Sequence, residues 1–290
     1  MSLPKQARLR SIPADYDTRA LAGIDSRLRA IVGESRVAMV LAIESGSRAW
    51  GFPSPDSDFD CRFLFVRSAD AYLSPWLRRD VIEMPLEGEF DVNGWDLGKA
   101  LKLLIKGNAV VVEWLTSPIL YDGDAALVAE LRLFAERFSS RTGIARHYLH
   151  LGEKQRRTYF AEGKDVQLKK LFYALRPAAA LRWLRLHADE AVAPMHFPTL
   201  IAGCDAPADV VAISLDLIRR KSVTRELGAA PLPAPIRAFV DEEFALARAW
   251  LPAMAAPASP EARQAAEALF RKAVRSLGGD GSTKSPRDPR

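Results

Sequence analysis

The stretch IESGSRAWGFPSPDSDFDCRFLFV, residues 43–66, places a Gly-Ser pair, a second glycine and three aspartates between two apolar runs. Carboxylates as close as Asp56, Asp58 and Asp60 repel one another unless positive charge sits among them. VAMVLAIE (37–44) before the turn and FDCRFLFV (59–66) after it both read as strands. Period-two spacing then aims Asp58 and Asp60 at one face of the second strand. Two carboxylates side by side form a seat for Mg²⁺ that also grips substrate phosphates. The competing reading is a solvated Pro-Asp-Ser turn whose aspartates cap backbone amides.

Two other acid- or glycine-based sites are excluded by spacing. An EF-hand needs Gly at its sixth position and a bidentate acid at its twelfth, where this chain has Cys61 and Arg67. Gly46 and Gly51 have the separation of a P-loop, but Phe52-Pro53 stands where Lys-Ser/Thr must reach phosphate and magnesium.

Outward from this stretch, residues 17–32 read as an amphipathic helix with Leu21, Ile24, Leu28 and Ile31 on one face and Asp17 as cap. Residues 81–92 read as two short strands around Glu87-Gly88, with Pro85 making the first an edge or a bulge. A helix follows from Asp96 to about Lys106, ended by Gly107-Asn108. Beyond residue 125 the periodicity is helical, so the chain reads as α+β: a mixed α/β unit over 1–123, a helical unit over 124–277 and a disordered tail over 278–290.

The chain has 290 residues, 49% of them hydrophobic, enough for an ordinary core. Lys plus Arg number 41 against 36 acids, a net charge of +5 that suits a phosphate-bearing partner without demanding one. The two cysteines, Cys61 and Cys204, are far apart and outside any zinc-type spacing, so a reducing cytoplasm is expected. No membrane partner is expected, because no apolar run approaches the length of a span.

The pattern Gly46-Ser47 followed by Asp58-Phe59-Asp60 resembles the signature of the DNA polymerase β-like nucleotidyltransferase superfamily. With DVNGWDLGKALKLL (91–104), EWLTSP (113–118) and KKLFYALRP (169–177), the chain is similar to the bacterial YcgL/RlaP branch, predicted nucleotidyltransferases associated with RNA repair. The resemblance covers roughly residues 36–230. It implies a polymerase β-like mixed sheet followed by a helical domain, an NTP substrate such as ATP, and two Mg²⁺ ions for which Mn²⁺ can substitute.

The resemblance also distributes roles. Asp58 and Asp60 would bridge the two ions, and a carboxylate from a neighbouring strand would hold the one that activates the nucleophile. Asp91, within a strand-like stretch, is preferred over Asp96, whose place at a helix start gives it an ordinary capping job. Gly46 leaves room for a triphosphate, and Ser47 offers it a hydroxyl and an amide. Arg48 is a candidate charge contact, with a local salt bridge as the alternative. Lys170, Tyr173 and Arg176 share a helix face that meets phosphate and base in one reading and solvent in the other, ahead of a helix-breaking Pro177. His147 and His150 read as surface or packing residues, and Glu113 as a tie between a helix and the cleft wall. Trp50 and Ser57 read as structural. RNA is the expected acceptor, on the basic runs GEKQRRTYF (152–160) and LIRRK (217–221) and the family association. A non-catalytic nucleotide- or RNA-binding protein is the alternative, and the oligomeric state stays open.

Overall fold

The computed structural model describes residues 7–76, 78–160, 165–225, 227–251 and 258–278. All but the first residue of the expected disordered tail lie outside these. The chain opens with α1 (Thr18–Ser35), whose Asp17 side chain accepts from the amides of Arg19 and Ala20 and caps it as expected. β1 (Ala38–Glu44) leads into a single helical turn, α2 (Gly46–Ala49), and then β2 (Phe59–Val66). After α3 (Ala69–Leu73), β3 (Val81–Glu83) forms a short edge strand beside β4 (Phe90–Asp96). Asp96 caps α4 (Leu97–Ile105) through the Gly98 amide, and Asn108 caps α5 (Ala109–Thr116). β5 (Leu120–Gly123) completes a five-stranded sheet of order β3-β4-β2-β1-β5.

The sheet is mixed. β1 pairs antiparallel with β2 and β5, and β3 antiparallel with β4, whereas β2 and β4 are parallel and in a register that places Asp60 opposite Asp91. Alternation along β2 sends Phe59, Cys61, Phe63 and Phe65 into the core beneath α1, and turns Asp60, Arg62, Leu64 and Val66 to the opposite face. On that second face Leu64 and Val66 enter the larger core, while Asp60 and Arg62 lie at its open end. In β4, Val92 shares the α1 side and Asp91 therefore shares the face of Asp60.

The second half is helical: α6 (Ala125–Phe138), α7 (Arg141–Tyr159), α8 (Leu168–Leu186), α9 (Phe197–Gly203), α10 (Ala208–Val223), α11 (Ala234–Trp250) and α12 (Pro260–Leu277). Two-residue strands at Val166–Gln167 and Ala229–Ala230 pair with each other, as β6 and β7. The larger core runs without interruption from the sheet into these helices. The last helix, α12, returns to pack on α4, α6 and the sheet. Pro177 does not break α8 but lies buried inside it. A proline in a helix interior costs about 3 kcal/mol, which packing offsets here: α7 approaches α8 at Gly152, where a Cβ would stand 3.0 Å from the Cβ of Pro177 and 2.4 Å from Phe244.

Gly94 in β4 faces Phe63 of β2, and a Cβ there would lie 2.1 Å from the ring. Gly94→Ala is expected to destabilise the protein by about 1–3 kcal/mol through overpacking. The check is a lower urea midpoint at unchanged denaturant slope.

Candidate active site

Asp60 is held from three sides. Its amide donates to Oε1 of Glu44 at 2.9 Å, and its carbonyl accepts from the Ser45 amide at 2.8 Å. Its carboxylate lies where a side chain at position 46 would be: a Cβ on Gly46 would stand 1.9 Å from Oδ2. Gly46 also has φ +58°, in the left-handed region that favours glycine. The Gly-Ser turn thus fits around the aspartate, and it does so as the first turn of α2 rather than as a loop.

Ser47 donates to Ser57 Oγ at 2.9 Å, and Ser57 also accepts from the Ser54 amide at 2.8 Å, so three serines fix the loop that carries Asp58. Arg48 is spent on the same loop: its guanidinium donates to the carbonyls of Ser57 at 2.6 Å and Asp58 at 3.2 Å and lies 3.8 Å from the centre of the Phe59 ring.

Asp91 stands beside Asp60 with Arg62 between them. The guanidinium reaches Asp60 Oδ1 at 3.1 Å and Asp91 Oδ2 at 2.6 Å, and Asn93 donates to the other Asp91 oxygen. Burial pushes the Asp60 carboxyl up, against the opposing pull of Arg62, and Asp91 and Asp58 push it further up. Asp96 occupies a separate place, accepting from the Gly98 amide at 2.8 Å and from the Tyr72 hydroxyl at 2.7 Å.

Beneath the aspartates, Glu44 is fully buried. Its carboxylate accepts from the Tyr121 hydroxyl, which is hydrogen-bonded to that of Tyr16, and its carbonyl accepts from Ser117 Oγ at 2.6 Å. Burial raises the Glu44 carboxyl to about 7, although the hydrogen bonds from Tyr121 and Asp60 oppose the rise.

Asp58 and Asp60 open into a cleft of about 620 Å³ between the sheet and the helical half. One wall carries Ser47, Asp56, Asp58 and Asp60; the other carries Lys169, Lys170, Lys221 and Arg225. Tyr173 and Arg176 line it as well, and of the residues expected at the site only Arg48 and Asp91 lie outside its lining. Lys170 Nζ sits over the rings of Tyr173 (4.9 Å) and Tyr159 (5.6 Å). Arg176 is buried: it pairs with Glu113 of α5 and packs 4.2 Å from the Trp50 ring centre. Glu113 also accepts from Tyr148 at 2.8 Å, so it ties α5 to α7 and α8 at the cleft wall.

Several lining residues escape the sequence reading. Lys221 belongs to the LIRRK run, which reads as a basic surface for RNA, yet it is buried. Its ammonium donates to the Phe52 carbonyl, and desolvation lowers it to about 8. Nothing in the sequence points to Arg225, which follows the end of α10. Trp50 and His147 also line the cleft. The GEKQRRTYF run is partly engaged elsewhere, with Arg156 paired to Asp241 and Glu153 to Arg248.

Asp58 and Asp60 supply hard oxygen donors facing this space. Mg²⁺ is usually held by one or two carboxylates together with water and substrate phosphates, so the pair fits such an ion. Among the described residues no group of three acids, histidines or cysteines is arranged to ligate one ion, and Asp91 is engaged by Arg62.

Residues 22–272 match the model of the RNA repair pathway DNA polymerase beta family, RlaP. The uncharacterized protein YcgL of Bacillus subtilis (strain 168) is 37% identical over 222 residues, covering 76% of this chain and 84% of that protein. A crystal structure of a nucleotidyltransferase-like protein from Exiguobacterium sibiricum 255-15 aligns over 88% of this chain and 75% of its own, at 12% identity and a TM-score of 0.27, too distant to bear on the site. No helix among the described residues is long and apolar enough to cross a membrane.

Glu44 gives the site a pH signature. A carboxyl raised from 4.5 to about 7 binds its proton more tightly in the folded chain than in the unfolded one. Its contribution is therefore fully present below pH 4.5 and is lost as pH rises through 7. Its size is of order 3 kcal/mol, at about 1.4 kcal/mol per pH unit. In EDTA, the wild-type protein is expected to lose stability across this window and Glu44→Gln to lose much less. Urea unfolding at a series of pH values checks this.

Proposed function

The chain belongs to the RNA repair pathway DNA polymerase beta family, and on that premise we propose that it transfers a nucleotidyl group from an NTP to an acceptor hydroxyl, with an RNA end as the acceptor. The observation that carries this reading is a single cleft with Asp58 and Asp60 on one wall and Lys169, Lys170, Lys221 and Arg225 on the other. A triphosphate needs both: cations for its outer oxygens, and carboxylates to seat the metal that accompanies it.

In the proposed reaction the acceptor hydroxyl gives up its proton to solvent as its oxygen bonds to the α-phosphorus, the bond from that phosphorus to the bridging oxygen breaks, and pyrophosphate leaves with the electron pair. Divalent metal, Mg²⁺ or Mn²⁺, would be held by Asp58 and Asp60 with Asp91 as third carboxylate, and supplies charge stabilisation at the attacking and leaving oxygens. The remaining work falls to the chain's own groups. Gly46 leaves room against Asp60, and Ser47 stands at the cleft edge for an outer phosphate. Lys170, Lys221 and Arg225 offset phosphate charge from the helical wall, and Lys170 is steadied by the two tyrosine rings. Arg176 shapes the base end by holding Trp50 and Glu113. ATP is the first nucleotide to test.

The engagement of Asp91 by Arg62 favours a second reading, in which the cleft binds nucleotide without turnover. Pyrophosphate release separates the two. With Mg²⁺, each NTP and a panel of RNA, protein and small hydroxyl acceptors, the wild type is expected to release pyrophosphate. Asp60→Asn is expected to lose about two orders of magnitude or more, the scale of a lost transition-state contact. NTP binding without release from any acceptor would leave the binding reading in its place.

A further inference from the structure

A second cavity, of about 240 Å³, lies at the opposite end of β2 from the aspartates, and three arginines line it: Arg36, Arg67 and Arg78. Arg67 directly follows β2, and the seven steps from Asp60 put it roughly 23 Å away at ~3.3 Å per residue. This is therefore a separate place from the cleft.

Arg67 is 9% exposed. Among the described residues its guanidinium donates only to two backbone carbonyls at the long limit of a hydrogen bond, Ser35 at 3.5 Å and Arg79 at 3.3 Å, and its centre stands 5.1 Å from the Phe65 ring. Among the described residues no carboxylate lies within ion-pair distance of Arg67, Arg36 or Arg78, although Asp70 also lines the cavity. In the cavity lining three guanidinium groups stand against one acid, with Asp96 acting on Arg67 from outside it, and the surplus of positive charge is one that an anion would offset.

On the segment between α3 and β3 that carries Ser74 and Arg78 of the cavity lining, Trp76 is 83% exposed. Indole is normally one of the more buried side chains, so an open ring two residues from Arg78 of the cavity calls for a role. Phosphate contacts from Arg together with an open aromatic face are what single strands are held by, since every unpaired base has a face to stack.

We propose that Arg36, Arg67, Arg78 and Trp76 form a docking site for a single-stranded nucleic-acid segment, with a phosphate at the arginine cavity and a base on the indole. The site stands independently of nucleotidyl transfer, and it gives a strand a hold remote from the cleft.

The test is fluorescence anisotropy of a labelled single-stranded oligoribonucleotide with the full chain, at several salt concentrations, against Trp76→Ala and the double variant Arg36→Ala/Arg78→Ala. All three side chains are exposed, and thermal melts verify that the variants fold. Trp76→Ala is expected to weaken binding about tenfold, the scale of one lost base stack. The double variant is expected to lower the log–log salt slope by about 1.4, from roughly 0.7 per phosphate contact on a single strand. Unchanged affinity and slope in both variants would overturn the proposal. So would an equal effect of Trp76→Ala on a duplex of the same sequence, whose bases are already stacked, or on polyglutamate, which would assign the patch to an acidic protein. Nucleotide binding with Mg²⁺, measured in parallel, should be the same in wild type and variants. Its absence from all three would count against the cleft reading while leaving this site standing on the RNA titrations.

Discussion

The carboxylate of Asp60 occupies the space that any side chain at position 46 would need, and the rest of the site is arranged around that exclusion. Because Gly46 lacks a Cβ, α2 can begin against the aspartate, and Ser47 follows in the cleft lining. Because the Asp60 amide is fixed by buried Glu44, the carboxylate has little freedom to retreat from its neighbours. The cost is electrostatic. Burial disfavours the charge on Asp60, Asp58 and Asp91 add to the strain, and Arg62 relieves part of it. A carboxylate crowded in this way gains from a further cation, which links the local packing to the proposed metal chemistry.

The cleft exists because the helical half is bound firmly to the sheet half. Phe52 stacks on Phe172 of α8 at 4.5 Å between ring centres, Trp50 meets Tyr173 edge-on, and Lys221 reaches back to the Phe52 carbonyl. Glu113 and Arg176 close the inner wall. A buried pair of this kind adds little net stability, but losing one partner would strand the other charge at a cost of about 3–5 kcal/mol. It therefore fixes the position of α8 relative to α5. The return of α12 onto α4 and α6 joins the last helix to the first half as well.

Much of this was legible in the sequence because it is local. Asp17, Asp96 and the Gly107-Asn108 stop mark helix ends through short-range capping, and β2 is bounded at Phe59 and Val66 as its apolar run predicts. The capping role of Asp96 was also readable, since a cap is a sequence feature. What escaped is non-local. The parallel register that sets Asp91 beside Asp60, and the guanidinium of Arg62 between them, depend on a pairing across thirty-one positions of chain. Lys221 in a charged run and Pro177 inside a helix are decided by what packs against them, which no periodicity records. Arg48 lies beside the right motif and yet serves the loop backbone, a distinction set by the fold of residues 54–58.

The central claim is that Asp58 and Asp60 seat divalent metal together with a nucleoside triphosphate in this cleft. Its most direct test is a crystal structure of the protein with Mn²⁺ and a non-hydrolysable NTP analogue, with the metal located by its anomalous scattering. The account predicts anomalous density against both carboxylates, with triphosphate between them and the Lys170, Lys221 and Arg225 wall. Nucleotide bound in the cleft with no metal at Asp58 or Asp60, or metal and nucleotide both bound elsewhere, would contradict it.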